Sequence, residues 1–119
     1  MFSACRFALA TIFSLSVVFP RWAVAANQGQ ATWYHTGQGA CGARSNDEDH
    51  VVALSSEEFS RSNHCFKHIV IHHQGREVDA TIVDRCEGCS RFALDLSPGA
   101  FKMLASLDEG TAEVTWEYI

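Results

Sequence analysis

The sequence is short of positive charge. Nine of its 119 residues are Lys or Arg against 14 Asp or Glu, and two of the nine, Arg6 and Arg21, precede residue 26. Residues 26–119 therefore carry seven cations and 14 anions, a net charge of about −7 with His neutral. Nucleic acids and anionic membranes bind proteins through a basic face. The charge balance argues against both partners and is compatible with a neutral polysaccharide, a protein or a small molecule.

An apolar run long enough to cross a bilayer, about 20 residues, is also lacking. The apolar segment Phe7–Phe19 is shorter, follows Arg6, and precedes the small residues A-V-A at positions 23–25. A basic start, a short apolar segment and an A-x-A site are typical of a secretory signal peptide. We predict a signal peptide over residues 1–25 and one secreted, extracellular, monomeric domain over residues 26–119. The alternative is a retained N-terminal anchor.

A second C-x-x-C pair is absent. Cleavage of the signal peptide would remove Cys5 and leave four cysteines, which are Cys41, Cys65, Cys86 and Cys89. A four-ligand zinc site usually shows a second such pair or two paired histidines, and a redox-active dithiol usually opens a helix in a thioredoxin-like chain. Neither pattern occurs. An even number of cysteines in a short secreted chain favours two disulfides, and the residues alone leave all three pairings open.

The six histidines lack the spacing of metal ligands. They are His35, His50, His64, His68, His72 and His73. The adjacent pair at 72 and 73 would point to opposite faces of a strand. His68 and His72 share a face, but four residues of strand separate their Cα atoms by about 13 Å. No metal site and no cofactor are predicted.

Alternation of apolar and polar residues is clearest between Lys67 and Asp84. Two strands there flank Gln74-Gly75, which predicts a hairpin. The phase of the second strand places Asp84 on the face of that strand's apolar residues. Its carboxylate is therefore predicted to point toward the core or its rim, where a charged group needs a partner.

The C-terminal third predicts one helix and one strand. Ser97 and Pro98 are typical of a helix N-cap and first position, which predicts a helix from Pro98 to about Leu107. Alternation from Ala112 to Tyr118 predicts a half-solvated strand. With the earlier segments, about six short strands and one or two short helices predict a mostly β domain, either a small barrel or a sandwich.

Four segments, taken in order, resemble a known family. They are ATWYHTGQGACG, VVALSSEEF, ATIVDRCEGC and LDLSPGAFKMLA. Their order and spacing are similar to the double-psi β-barrel domain shared by rare lipoprotein A, expansins, barwin-like proteins and small fungal secreted proteins. The resemblance implies a six-stranded closed barrel with a groove across one face. It also suggests that Cys41 pairs with Cys65, leaving Cys86 with Cys89.

The resemblance singles out four candidate site residues. Asp84 matches the aspartate of the V-x-D motif, which looks like the catalytic acid in transglycosylase-like members; the alternative is a structural carboxylate that accepts backbone N–H bonds. Asp95 matches an aspartate that resembles a general acid in expansins and endoglucanases, although the preceding histidine is absent. Its alternative is to satisfy the amides at the start of the following helix. Tyr34 resembles a groove residue, and Trp33 belongs to either the groove or the core.

Three functions follow as hypotheses. The leading one is non-hydrolytic binding of a cell-wall polysaccharide or other extracellular ligand in a groove lined by Tyr34, Asp84 and Asp95. The second is inhibition of papain-like cysteine proteases, through a loop at 36–46 or 61–64. The third is a lytic transglycosylase or glycosidase using Asp84. Glycoside hydrolysis usually needs a second carboxylate. At the position where the resembling endoglucanases carry that aspartate, this sequence has His35-Thr36, so a binding protein is expected rather than an enzyme.

Overall fold

The computed structural model describes Ile12, Ser14 and residues 26–119. Apart from those two isolated positions, the predicted signal peptide, Cys5 included, lies outside the described residues. Within the part that is described, no helix has the length and apolar character needed to span a membrane.

Six strands form a closed barrel, in the order β1-β5-β2-β4-β3-β6. The β1–β5 and β2–β4 pairs are parallel and the other pairs are antiparallel. The strands are β1 Asn27–Trp33, β2 Val51–Ser55, β3 His68–His73, β4 Arg76–Cys86, β5 Leu94–Leu96 and β6 Ala112–Tyr118. The expected six-stranded, mostly β barrel is confirmed, as is the β3–β4 hairpin around Gln74-Gly75.

The helices are short and begin at serine caps. In α1, Ser56–Arg61, the Ser55 hydroxyl accepts the backbone N–H of the third helical residue. In α2, Pro98–Lys102, Ser97 does the same, which confirms the predicted start. The predicted extension to Leu107 is wrong, because Met103 and the following residue make i→i−3 bonds that tighten and end the last turn. A separate 3₁₀ turn follows at Leu107–Glu109.

The barrel interior is the hydrophobic core. Alternate residues of all six strands point into it, and α2 closes one side with the fully buried Phe101. Trp116 on β6 is the largest fully buried side chain, and its indole N–H donates to the carbonyl of Phe92 at 2.9 Å. Burial of large apolar side chains stabilises the fold by roughly 1.5–3 kcal/mol each, so this core fixes the strands on which the outer surface is built.

A β-bulge in β4 changes which way Asp84 points. Val52 pairs with Ile82, but the next pair along is Ala53 with Asp84, so Val83 has no partner in β2. The extra residue shifts the alternation of the strand. Asp84 therefore lies beside Ala53, on the outer surface, and the prediction that it shares the inward face of the earlier apolar residues is wrong. The bulge, not the regular phase, puts this carboxylate on the outside.

Candidate functional site

Four side chains form a row across the outer surface of the barrel. Thr32 pairs with Asp95, Asp95 with Ala53, and Ala53 with Asp84. Neighbouring strands lie about 4.8 Å apart, so the row is about 14 Å long and the two aspartates are separated only by a small, buried alanine. We call these four residues, with Tyr34, the carboxylate row.

Asp84 is held by three donors. The backbone N–H groups of Ala40 and Arg85 donate to its Oδ1, at 2.9 and 2.8 Å. The Tyr34 hydroxyl donates to its Oδ2 at 3.4 Å. Two of the three donors belong to the segment between β1 and β2, so this side chain connects that segment to β4. The predicted alternative of a carboxylate that accepts backbone N–H bonds is therefore present, together with a side-chain contact to Tyr34.

The loop at 37–44 packs directly against the bulged part of β4. The N–H of Cys41 donates to the carbonyl of Val83 at 3.0 Å. A Cβ on Gly39 would lie only 2.3 Å from that carbonyl oxygen, a distance that real Cβ atoms essentially never show. Glycine is therefore required at 39 by close backbone approach, and this approach brings the N–H of Ala40 to Asp84.

Asp95 has a single side-chain partner in the described structure. The Thr32 hydroxyl donates to its Oδ1 at 3.0 Å. Burial raises the pKa of the Asp95 carboxyl, and the nearby charge of Asp84 raises it further, while the hydrogen bond from Thr32 acts in the opposite direction. The alternative in which Asp95 satisfies the helix amides is wrong, because Ser97 caps that helix. Asp95 is thus a half-buried carboxylate with unused acceptor capacity.

Tyr34 and Trp33 have opposite roles. Burial and the charges of Asp84 and Asp95 raise the pKa of the Tyr34 hydroxyl, so it remains a neutral donor beside both aspartates. Trp33 lies on the inward side of β1, packs against the core, and donates its indole N–H to the carbonyl of Leu107 at 3.0 Å. Of the two places predicted for Trp33, the core is the one it occupies.

A trough with a volume of about 470 Å³ opens beside Asp95. It is lined by Gln30, Thr32, Cys86, Gly88, Cys89, Ser90, Ala93 and Asp95. The row and the trough therefore share Thr32 and Asp95, and together they form one continuous surface. Sequence reasoning missed Gln30 and Ser90; the alternation of β1, which puts Gln30 on the same face as Thr32, is a signal that would have found the first.

Both disulfides support this surface. Cys86 pairs with Cys89 and Cys41 with Cys65, which confirms the connectivity that the resemblance suggested. The first pair forms part of the trough wall. The second closes a loop with a sequence separation of 24 and is worth about 3.5 kcal/mol by chain entropy. It ties the loop at 37–44 to the segment before β3.

Three of the six histidines pair with surface carboxylates. His35 lies 2.7 Å from Asp47 and His68 lies 2.6 Å from Asp79. His72 lies between Glu77 and Glu117, at 3.5 and 3.9 Å. Across residues 26–119, no three His, Cys, Asp or Glu side chains come together as a potential metal site.

A family model described as "Lytic transglycolase" matches residues 26–116. The chain belongs to this double-psi β-barrel family. Among curated relatives of this double-psi barrel, a papain inhibitor from Streptomyces mobaraensis is 32% identical over 103 residues, which are 76% of this chain and 70% of the relative. A ripening-related protein 7 from Oryza sativa subsp. japonica is 35% identical over 95 residues, 67% of this chain and 59% of that protein.

Two solved double-psi barrels are similar in structure. An expansin variant from Clavibacter michiganensis, in complex with cellohexaose, superposes with a TM-score of 0.73 at 26% identity. The match covers 80% of this chain but only 50% of the expansin. The Streptomyces papain inhibitor superposes with a TM-score of 0.70 at 29% identity, over 77% of this chain and 92% of the inhibitor. The double-psi barrel thus corresponds to half of one neighbour and to nearly all of the other.

Proposed function

We propose that this double-psi barrel is a secreted protein that binds a neutral cell-wall polysaccharide along the carboxylate row, without hydrolysing it. The observation that carries the proposal is the continuity of the row with the open trough at Asp95. A surface about 14 Å long that ends in an open trough suits an extended chain rather than one small molecule. Secretion is supported by the signal-like start and by the two disulfides.

The chemistry of the row suits sugar hydroxyls. Burying a carboxylate is costly unless it is hydrogen-bonded, and Asp95 has one protein donor for two oxygens. A sugar hydroxyl would supply a further donor, and the hydroxyl oxygens of Thr32 and Tyr34, whose protons go to the two aspartates, can accept from others. The similarity to an expansin that was solved with cellohexaose supports the same class of ligand.

Binding is favoured over cleavage by the surroundings of Asp84. Its Oδ1 faces two backbone N–H donors and its Oδ2 faces a hydroxyl, an arrangement that suits an acceptor rather than a proton-donating acid. At the position where endoglucanases with this fold carry a second carboxylate, the chain has His35, which is exposed and hydrogen-bonded to Asp47. The second carboxylate that cleavage by a carboxylate pair requires is therefore missing from that position.

Retention on insoluble cellulose, chitin and peptidoglycan at low salt tests the proposal. The wild-type protein should bind at least one of them, and Asp95→Asn should bind it more weakly because a charged acceptor at the trough is lost. The supernatant should contain no new reducing ends or anhydro sugars. Failure of the wild type to bind any of the three would contradict the proposal, and products that vanish in Asp84→Asn would replace binding by transglycosylase or glycosidase activity.

Inhibition of papain-like cysteine proteases is the second candidate. It is favoured by the coverage of the Streptomyces papain inhibitor, of which 92% is matched, compared with half of the expansin. The Cys41–Cys65 disulfide joins the middle of the loop at 36–46 to the residue that follows the loop at 61–64, and such preorganisation lowers the entropic cost of binding a protein. Papain assayed with micromolar protein tests this candidate, and an unchanged rate would remove it.

A further inference from the structure

Phe66 combines two features that the fold alone does not explain. It lies in the segment between α1 and β3, with a backbone φ of 66°. A bulky L-residue rarely adopts this left-handed conformation, because its Cβ crowds the following carbonyl. Its side chain is also 52% exposed, so burial of the ring does not compensate the strain.

The backbone at Phe66 is fixed on both sides. Its N–H donates to the carbonyl of Ile82 at 2.8 Å, and the N–H of Ile82 donates back to Lys67 at 2.8 Å. The preceding residue, Cys65, is bonded to Cys41. The ring is therefore held out into solvent on a rigid loop. Strained residues that persist on such supports cluster at functional sites.

We infer that Phe66 is the anchor with which this protein enters the substrate cleft of a papain-like cysteine protease. The inference rests on the second candidate function. Interfaces depend on a few aromatic anchors that fill pockets on the partner, and an anchor that is already fixed loses little entropy on binding. A disulfide-tied loop with one exposed ring can present such an anchor to a protease cleft.

A protein partner is favoured over a glycan for two reasons. The Phe66 ring has no group that can hydrogen-bond to sugar hydroxyls. Its backbone bonds continue the pairing of β3 with β4, whereas the carboxylate row lies on the β2 side of β4. Phe66 is therefore across β4 from the surface proposed to bind polysaccharide, and the Cys41–Cys65 disulfide joins its segment to the loop that contacts Asp84.

Inhibition of papain by three variants tests the inference. Phe66→Ala removes the ring, and Phe66→Gly removes both the ring and the strain. Both should weaken inhibition by at least about tenfold, and the glycine variant should resist urea as well as or better than the wild type. The control is Gln74→Gly, because Gln74 also has a positive φ, 47°, but lies in the β3–β4 turn. It should inhibit as the wild type does.

The possible outcomes distinguish the inference about Phe66 from the candidate inhibitory function on which it rests. No inhibition by the wild type would overturn both. Inhibition by the wild type with Phe66→Ala within twofold of it would overturn the inference and leave the candidate function standing. Loss of polysaccharide retention in Phe66→Ala with unchanged papain inhibition would assign the ring to a glycan and also overturn the inference.

Discussion

Replacing Asp84 by Asn exchanges one oxygen of the side chain and keeps the other. Oδ1, which accepts the two backbone N–H groups of Ala40 and Arg85, is retained. The new amide nitrogen takes the position of Oδ2 and faces the Tyr34 hydroxyl, which can accept where it previously donated. All three contacts therefore have a partner in the variant, and only the negative charge is lost.

The expected cost follows from these contacts. A hydrogen bond to a charged group contributes about 1.5–3 kcal/mol and a neutral one about 0.5–1.5. The site is half-buried, so water reduces the difference, and loss of the charge relieves repulsion from Asp95. We expect Asp84→Asn to lower the free energy of unfolding by about 1 kcal/mol. Asp84→Ala leaves the two N–H groups without their acceptor and should cost about 3 kcal/mol.

Urea unfolding at pH 7, followed by tryptophan fluorescence with the disulfides intact, measures both variants. Trp116 is fully buried and reports the loss of the core. In thermal unfolding, a loss of about 1 kcal/mol in the free energy of unfolding lowers the Tm by roughly 4–8 °C for a domain of this size. The Tm values of the two variants should therefore be well separated. If Asp84→Asn is as unstable as Asp84→Ala, the charge itself holds the loop, and the hydrogen-bond account is refuted.

Three further predictions concern stability. The folded-state pKa of Asp95 is raised, so the contribution of its carboxyl to folding stability is fully present below the ordinary carboxyl pKa and is lost as pH rises through the folded value. Asp95→Asn should therefore be at least as stable as the wild type at pH 7, and any advantage should shrink near pH 3.5. Lower stability of the variant at pH 7 would contradict this. Glu58 is 7% exposed and accepts the Tyr118 hydroxyl at 2.7 Å, so Glu58→Ala should cost about 2–4 kcal/mol, and a loss below about 0.5 kcal/mol in urea would refute it. Gly39→Ala should cost about 1–3 kcal/mol because its Cβ meets a backbone carbonyl, whereas Gly37→Ala, with nothing within 4 Å, should be near neutral; equal effects would show that the close approach is unimportant.

Local patterns predicted the parts of the fold that depend on neighbouring residues. Strict alternation around Gln74-Gly75 predicted the hairpin, and Ser97 followed by Pro98 predicted the start of α2. The end of α2 was not predictable, because Leu104 and Ala105 keep an apolar helical pattern although the chain has already turned. Their burial follows from tertiary packing, which a periodic pattern cannot distinguish from a continued helix.

The candidate site depends on contacts that the sequence does not encode locally. Asp84 faces outward only because Val83 is an extra residue in β4, and a bulge of this kind has no residue type that marks it. Thr32 and Asp95 are 63 residues apart and meet through the β1–β5 pairing. The disulfide pairing was suggested by family resemblance and not by spacing.

Retention on insoluble polysaccharide by matched aspartate variants tests the central claim most directly. Asp84→Asn and Asp79→Asn each remove one charge from β4, but Asp79 lies away from the row and pairs with His68. On whichever of cellulose, chitin or peptidoglycan retains the wild type, Asp79→Asn should be retained equally and Asp84→Asn at least about tenfold less, consistent with loss of one charged hydrogen-bond acceptor. Equal retention of the two variants, with both folded, would contradict the assignment of the carboxylate row as the binding site.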